Sequence, residues 1–211
     1  VGYQALTANT SGTHNTAVGY LALTSNTTGA NNTAVGYQAG DAITTGVQNT
    51  VVGYDAGSAI TTGGENTVIG AYALDANTTG GLNTALGHSA LGANTTASNN
   101  TAVGYHALKV NTTGASNLAV GYGALDANTT GSYNIGIGEN ALGALTTGSQ
   151  NVAIGRSSLD TTEAAVGNVA VGNHTLDAVS TGNYNTFFGM NAGKGSYNST
   201  TGTYNTLIGF A

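Results

Sequence analysis

The stretch Asn15–Asn31 reads NTAVGYLALTSNTTGAN, and Asn32 begins the phrase again as NTAVGYQAGDAITTGVQ. The glycine of the AVG phrase recurs at Gly2, Gly19, Gly36, Gly53, Gly70, Gly87, Gly104, Gly121, Gly138, Gly155, Gly172, Gly189 and Gly209, every step being 17 residues except a last step of 20. A fixed period of this kind marks stacked coils, because one short unit cannot bury its apolar side alone and must pack on copies of itself. The expected fold is all-β: a parallel β-solenoid, of the β-roll or β-helix kind, of about twelve 17-residue coils with Asn and Tyr ladders. The repeat runs over 1–211 as a single continuous array, which is expected to be an excerpt of a longer fibrous chain. The three extra residues of the last step should form a bulge at Lys194–Thr201.

Each column of the aligned repeat has its own chemistry. Four residues before the glycine stands asparagine in every copy: Asn15, Asn32, Asn49, Asn66, Asn83, Asn100, Asn117, Asn134, Asn151, Asn168, Asn185 and Asn205. Stacked at the strand spacing of about 4.8 Å, such side chains can donate to one neighbouring coil and accept from the other. The residue before the glycine is always apolar, and two residues earlier stands threonine or an aliphatic residue. Residues two apart share a strand face, so both columns are expected to point into the coil. Leucine usually follows four residues after the glycine; Gly40 and Gly57 replace it in two adjacent coils, where Ile43 and Ile60 replace the Asn of the NTT phrase. Restoring leucine volume with isoleucine three residues later implies one close-packed interior, since an empty leucine site costs about 2–5 kcal/mol. Asp41, Asp75, Lys109, Asp126, Asp160, Asp177 and Lys194 share the column five after the glycine, which is expected to face water.

Composition narrows the function. Only 6% of the residues are charged, the net charge is −6, and three residues are Lys or Arg. Phosphate backbones need clustered cations, so nucleic acid is not an expected partner. No apolar run approaches the roughly 20 residues of a membrane span, so no membrane insertion is expected in this segment. There is no cysteine, which excludes a disulfide scaffold. His14, His88, His106 and His174 occupy three different columns and build no shared metal site. The calcium pattern of repeat-in-toxin β-rolls is missing, and the glycines at 136 and 138 lack the strand–helix setting of a nucleotide loop. No catalytic residues, metal ligands or cofactor are expected, and an enzyme is the weakest reading.

The binding candidates are repetitive. The residue after the glycine is usually tyrosine: Tyr3, Tyr20, Tyr37, Tyr54, Tyr105 and Tyr122. This column is read first as a stiffening ladder and second as a surface strip for glycan or a neighbouring chain. Asn26, Asn77, Asn94, Asn111 and Asn128 begin N-x-S/T sequons, candidate glycosylation sites if exposed. Hydroxyl-linked sugars on Thr27, Thr28, Thr78 and Thr79 are an equal alternative. Ice binding is less favoured: the paired threonines of TTG are adjacent, and the threonine before AVG shares its face with a column read as core.

On the NTAVG phrase and the small-residue segment after it, the whole chain resembles the head repeats of trimeric autotransporter adhesins. It is also similar to the repeat regions of phage tail-fibre-like proteins. The resemblance implies a parallel β-roll or β-solenoid, often trimeric, displayed outside a cell, on a cell surface or on a virion fibre. The expected role is structural: an extracellular fibre, or a stalk or head segment, whose partner is itself as a homotrimer or through end-to-end or lateral fibre assembly. The alternative is an adhesin-type binding module that recognises glycans or a host surface.

Overall fold

The computed structural model describes residues 1–177, 182–193 and 202–210; the expected bulge at Lys194–Thr201 lies outside them. The chain forms two compact units, Val1–Val103 and Gly104–Ala211. The first holds strands β1 (Thr16–Val18), β2 (Thr33–Val35), β3 (Thr50–Val52), β4 (Thr67–Ile69), β5 (Thr84–Leu86) and β6 (Thr101–Val103). The second holds β7 (Leu118–Val120), β8 (Ile135–Ile137), β9 (Val152–Ile154), β10 (Val169–Val171), β11 (Thr186–Phe188) and β12 (Thr206–Ile208). Within each unit consecutive strands pair in parallel with equivalent residues opposite, Thr16 on Thr33 and Val18 on Val35 in the first, Leu118 on Ile135 and Val120 on Ile137 in the second. Each unit is therefore a parallel β-solenoid whose coil contributes one three-residue strand.

The rest of each coil is turn, yet its backbone is also tied to neighbouring coils. Leu23 N–H donates to Ala39 O at 3.1 Å in the following coil, and Leu21 N–H donates to Tyr3 O at 2.9 Å in the preceding one. Donors aimed alternately up and down require frequent left-handed residues. Positive φ recurs two residues after the AVG glycine (Gln38, 51°), four after it (Leu23, 51°) and five before it (Asn31, 59°). A lone left-handed residue other than glycine costs roughly 1–2 kcal/mol; here each stands above its equivalent, and the inter-coil bonds offset that cost. The AVG glycine takes a conformation closed to other residues: Gly53 has φ +143°, and a Cβ there would lie 2.6 Å from Gly70 O of the next coil.

The strand faces are the reverse of the expectation. The middle residue of the strand points inward, with Ala34, Val51, Val68, Ala102, Ala119 and Ala153 fully buried. The flanking residues expected in the core point out, and Val18, Ile69, Leu86 and Phe188 are 39–42% exposed. The reason is space. The leucines four after the glycine, among them Leu23, Leu74, Leu91, Leu108 and Leu125, already fill the narrow interior. Even at Gly136 an added methyl carbon would lie 3.3 Å from Leu125 Cδ1. A strand residue opposite such a leucine has room for little more than alanine, so the larger side chains are left outside; inward Val51 stands where glycine replaces the leucine, 3.4 Å from where a Gly57 Cβ would be, and inward Val68 is in the strand that follows that coil.

The leucine–isoleucine exchange stands as expected. Ile43 and Ile60 are fully buried, and a Cβ on Gly40 or Gly57 would meet their Cδ1 atoms at 2.9 and 2.8 Å. Phe187 does the same for Gly193, its ring carbon Cε1 lying 2.6 Å from where that Cβ would be.

Candidate functional surface

Two asparagine ladders run inside the coils. In the first, Asn32, Asn49, Asn66, Asn83 and Asn100 are buried in one unit and Asn117, Asn134, Asn151, Asn168 and Asn185 in the other. Within each unit the side-chain carbonyl accepts the backbone N–H of the next asparagine: Asn49 N–H donates to Asn32 Oδ1 at 2.9 Å, and Asn83 and Asn100 N–H donate to Asn66 and Asn83 Oδ1 at 3.0 Å. The side-chain amide donates to the carbonyl that closes the following TTG turn, Asn15 to Gly29 O at 2.7 Å and Asn49 to Gly63 O at 2.9 Å. The same pattern runs to Asn205, whose N–H donates to Asn185 Oδ1 at 3.0 Å. The column thus clamps backbone more than it links side chain to side chain.

The second ladder is the NTT column, and it overturns the glycosylation reading. Asn26, Asn77, Asn94, Asn111 and Asn128 are fully buried. Their Nδ2 atoms, where an N-linked sugar would attach, donate to turn carbonyls, for example Asn77 to Gly80 O at 2.9 Å and Asn111 to Gly114 O at 2.9 Å. They also donate along the ladder, Asn26 to Asn9 Oδ1, Asn94 to Asn77 Oδ1 and Asn128 to Asn111 Oδ1, all at 2.9 Å. The ladder stops where the sequence changes. Asn26 Oδ1 and Asn128 Oδ1 are buried with no partner, because the successor positions hold Ile43 and Leu145, which have nothing to donate.

The TTG threonines divide. The first is tied to the stack: Thr27, Thr44, Thr61 and Thr78 each donate Oγ1–H to the carbonyl of the first threonine of the next coil at 3.0–3.1 Å. The second, Thr28, Thr45, Thr62 and Thr79, is exposed.

The tyrosine strip forms a stack. Tyr3, Tyr20, Tyr37 and Tyr54 lie with centroids 5.0–5.2 Å apart and ring planes 7–10° from parallel. Tyr72, from the next column, meets Tyr54 edge-on at 5.4 Å, and His88 meets Tyr72 at 5.7 Å. In the second unit Tyr105 stacks on Tyr122 at 5.4 Å; in the next two coils the column holds an exposed Glu139–Arg156 ion pair at 3.8 Å. Rings stacked this way cover one another's faces and leave edges and hydroxyls outward. A second stack, Tyr184 on Tyr204 at 5.3 Å, lies in the column five before the glycine. Sequence reading missed it because only Tyr133, Tyr184 and Tyr204 are aromatic there.

The aspartate column is half-buried rather than fully in water. Burial pushes the carboxyls of Asp41, Asp75, Asp126 and Asp160 above the usual aspartate range. Asp41 Oδ1 is buried without a partner, and Gln38 Nε2 donates to Oδ2 at 3.4 Å. The Asp55 carboxylate beside Tyr54 raises that phenol. Among the described residues no group of His, Asp or Glu could hold a metal ion, and no helix is long and apolar enough to cross a membrane.

The described surface is repetitive. It offers columns: threonine, aliphatic and tyrosine side chains repeated at coil spacing. Fold and surface together define a repeat protein of the parallel β-solenoid class. No protein-family model matches the chain, and neither a curated protein nor a solved structure shows a significant match to it.

Proposed function

We propose that the chain is a structural segment of an extracellular fibre, a stalk or head, whose copies pack side by side through the outward strand face. The observation that carries this reading is the second unit's face. Leu118, Ile135, Val152 and Val169 form one outward column and Val120, Ile137, Ile154 and Val171 the next, all at least partly exposed. A contiguous aliphatic patch left in water marks an interaction surface, and burying it is worth about 25 cal/mol per Å². A second copy offers the same columns at the same spacing, so a homotrimer or a lateral bundle satisfies the patch along its length. Display on a cell surface or virion follows from the resemblance of the repeats to adhesin heads and tail fibres.

The test is multi-angle light scattering and negative-stain imaging of the wild type beside Ile137→Lys/Ile154→Lys. The expected result is an oligomer or filament from the wild type and a folded monomer from the variant. A wild type that stays monomeric at high concentration would refute the reading. The adhesin alternative rests on the outward tyrosine hydroxyl row; glycan-array binding lost in Tyr37→Ala would favour it over the scaffold.

A further inference from the structure

The outward strand face of the first unit has a different chemistry. The first strand position is threonine in every copy, Thr16, Thr33, Thr50, Thr67, Thr84 and Thr101, and the third is aliphatic, from Val18 to Val103. All of these side chains are at least partly exposed, and the strands pair in register from β1 to β6. Hydroxyls therefore recur about every 4.8 Å along the stack, with a methyl-bearing side chain about 6.6 Å to one side of each.

Three further features bear on what this lattice can hold. No residue of the strands is charged, so no ion imposes its own hydration shell. The coils repeat closely, since the stacked rings of Tyr3, Tyr20, Tyr37 and Tyr54 stay within 7–10° of parallel from one coil to the next. The strand hydroxyls are available: the Oγ1 atoms of Thr27, Thr44, Thr61 and Thr78 are committed to the next coil, but those of Thr33, Thr50 and Thr67 meet no protein partner and face solvent.

We infer that this face binds ice. An uncharged, in-register, periodic array of hydroxyl and methyl groups holds water in a repeating pattern: the methyls exclude disordered solvent while each hydroxyl anchors one site. Such a hydration layer matches a crystalline water surface, which is itself periodic and uncharged. The sequence pattern had set ice aside because the partner of the threonine column was read as core, and the outward position of Val18, Val35, Val52 and Ile69 removes that objection. The inference does not rest on fibre assembly, which was argued from the second unit.

The experiment measures thermal hysteresis and ice-crystal shape with the full chain. Two double variants accompany it: Thr33→Lys/Thr67→Lys on the strand face, and Thr28→Lys/Thr62→Lys on the exposed TTG column as control. The expected result is hysteresis with faceted crystals from the wild type, retained by the control and lost from the strand-face variant. Circular dichroism should show all three folded alike. A wild type without hysteresis overturns the inference, as does activity that survives Thr33→Lys/Thr67→Lys or vanishes equally in the control. If the wild type is inactive and Thr33→Lys/Thr67→Lys turns an oligomer into a monomer, the face belongs to a second copy instead.

Discussion

Replacing Asn49 by alanine should cost far more than replacing Asn26, although both are buried asparagines. Asn49 donates Nδ2–H to Gly63 O at 2.9 Å and to Asn32 Oδ1 at 3.1 Å, and its Oδ1 accepts Asn66 N–H and Nδ2–H, both at 3.0 Å. Asn49→Ala strands the Gly63 carbonyl and the Asn66 N–H inside the coil. A buried group left unpaired costs about 1–3 kcal/mol, so two give about 2–6 kcal/mol. Asn26 donates to Gly29 O at 3.1 Å and Asn9 Oδ1 at 2.9 Å, but its own Oδ1 has no partner. Asn26→Ala leaves the Gly29 carbonyl still accepting Asn15 Nδ2–H at 2.7 Å and removes an oxygen that was already unpaired, so only the net worth of a hydrogen bond, about 0.5–1.5 kcal/mol, is expected. Urea midpoints compare the two variants, and amide hydrogen exchange supplies a local readout. Protection of the Asn66 N–H should collapse in Asn49→Ala, while the Asn26 variant leaves distant coils unchanged. Equal destabilisation, or an Asn66 amide as protected as in the wild type, would refute the claim that the ladder works by clamping backbone.

Gly53→Ala should cost at least about 3 kcal/mol, the upper end of backbone strain, because its Cβ meets the Gly70 carbonyl at φ +143°; Gly209→Ala, with φ +147° but nothing within 4 Å, should cost less in the same urea titration. Gly40→Leu and Ile43→Asn should each destabilise alone, and the pair should recover most of the loss, with a coupling above about 1 kcal/mol in a double-mutant cycle. The half-buried aspartates have folded pKa values raised above their unfolded ones, so their contribution is largest below the unfolded aspartate value and is lost as pH rises through the folded value. The urea midpoint should therefore not fall, and should rise slightly, between about pH 7 and pH 4; Asp75→Asn should flatten that dependence.

The period was plain in the sequence, and so was the asparagine column, because one polar residue kept at every step has to be satisfied by its own copies. The Gly40–Ile43 exchange was legible for the same reason: two changes in one coil that conserve volume. The strand faces were not legible. In TAV the valine carries the hydrophobicity and the alanine looks incidental, but Leu23 and its equivalents take the interior and leave only alanine-sized space. The sequons misled in a related way. Asn-Thr-Thr reads as an exposed turn, whereas Asn77 and Asn94 turn inward to hold the turn carbonyls. The left-handed leucines carried no signal at all, since leucine is not a residue that single-copy reasoning places at positive φ; stacking alone makes them tolerable.

In-register stacking also sets how such an array can change its length. A coil inserted or removed whole meets, on both sides, the same strand, glycine and asparagine contacts that every other coil meets. Recombination between copies can therefore lengthen or shorten the chain without creating a new packing problem. The exception is the window from Gly40 to Ile43 and its counterpart from Gly57 to Ile60: a crossover inside it would seat a leucine against an isoleucine, or leave neither. Junctions between divergent copies should fall outside those four-residue windows, so these coils travel intact.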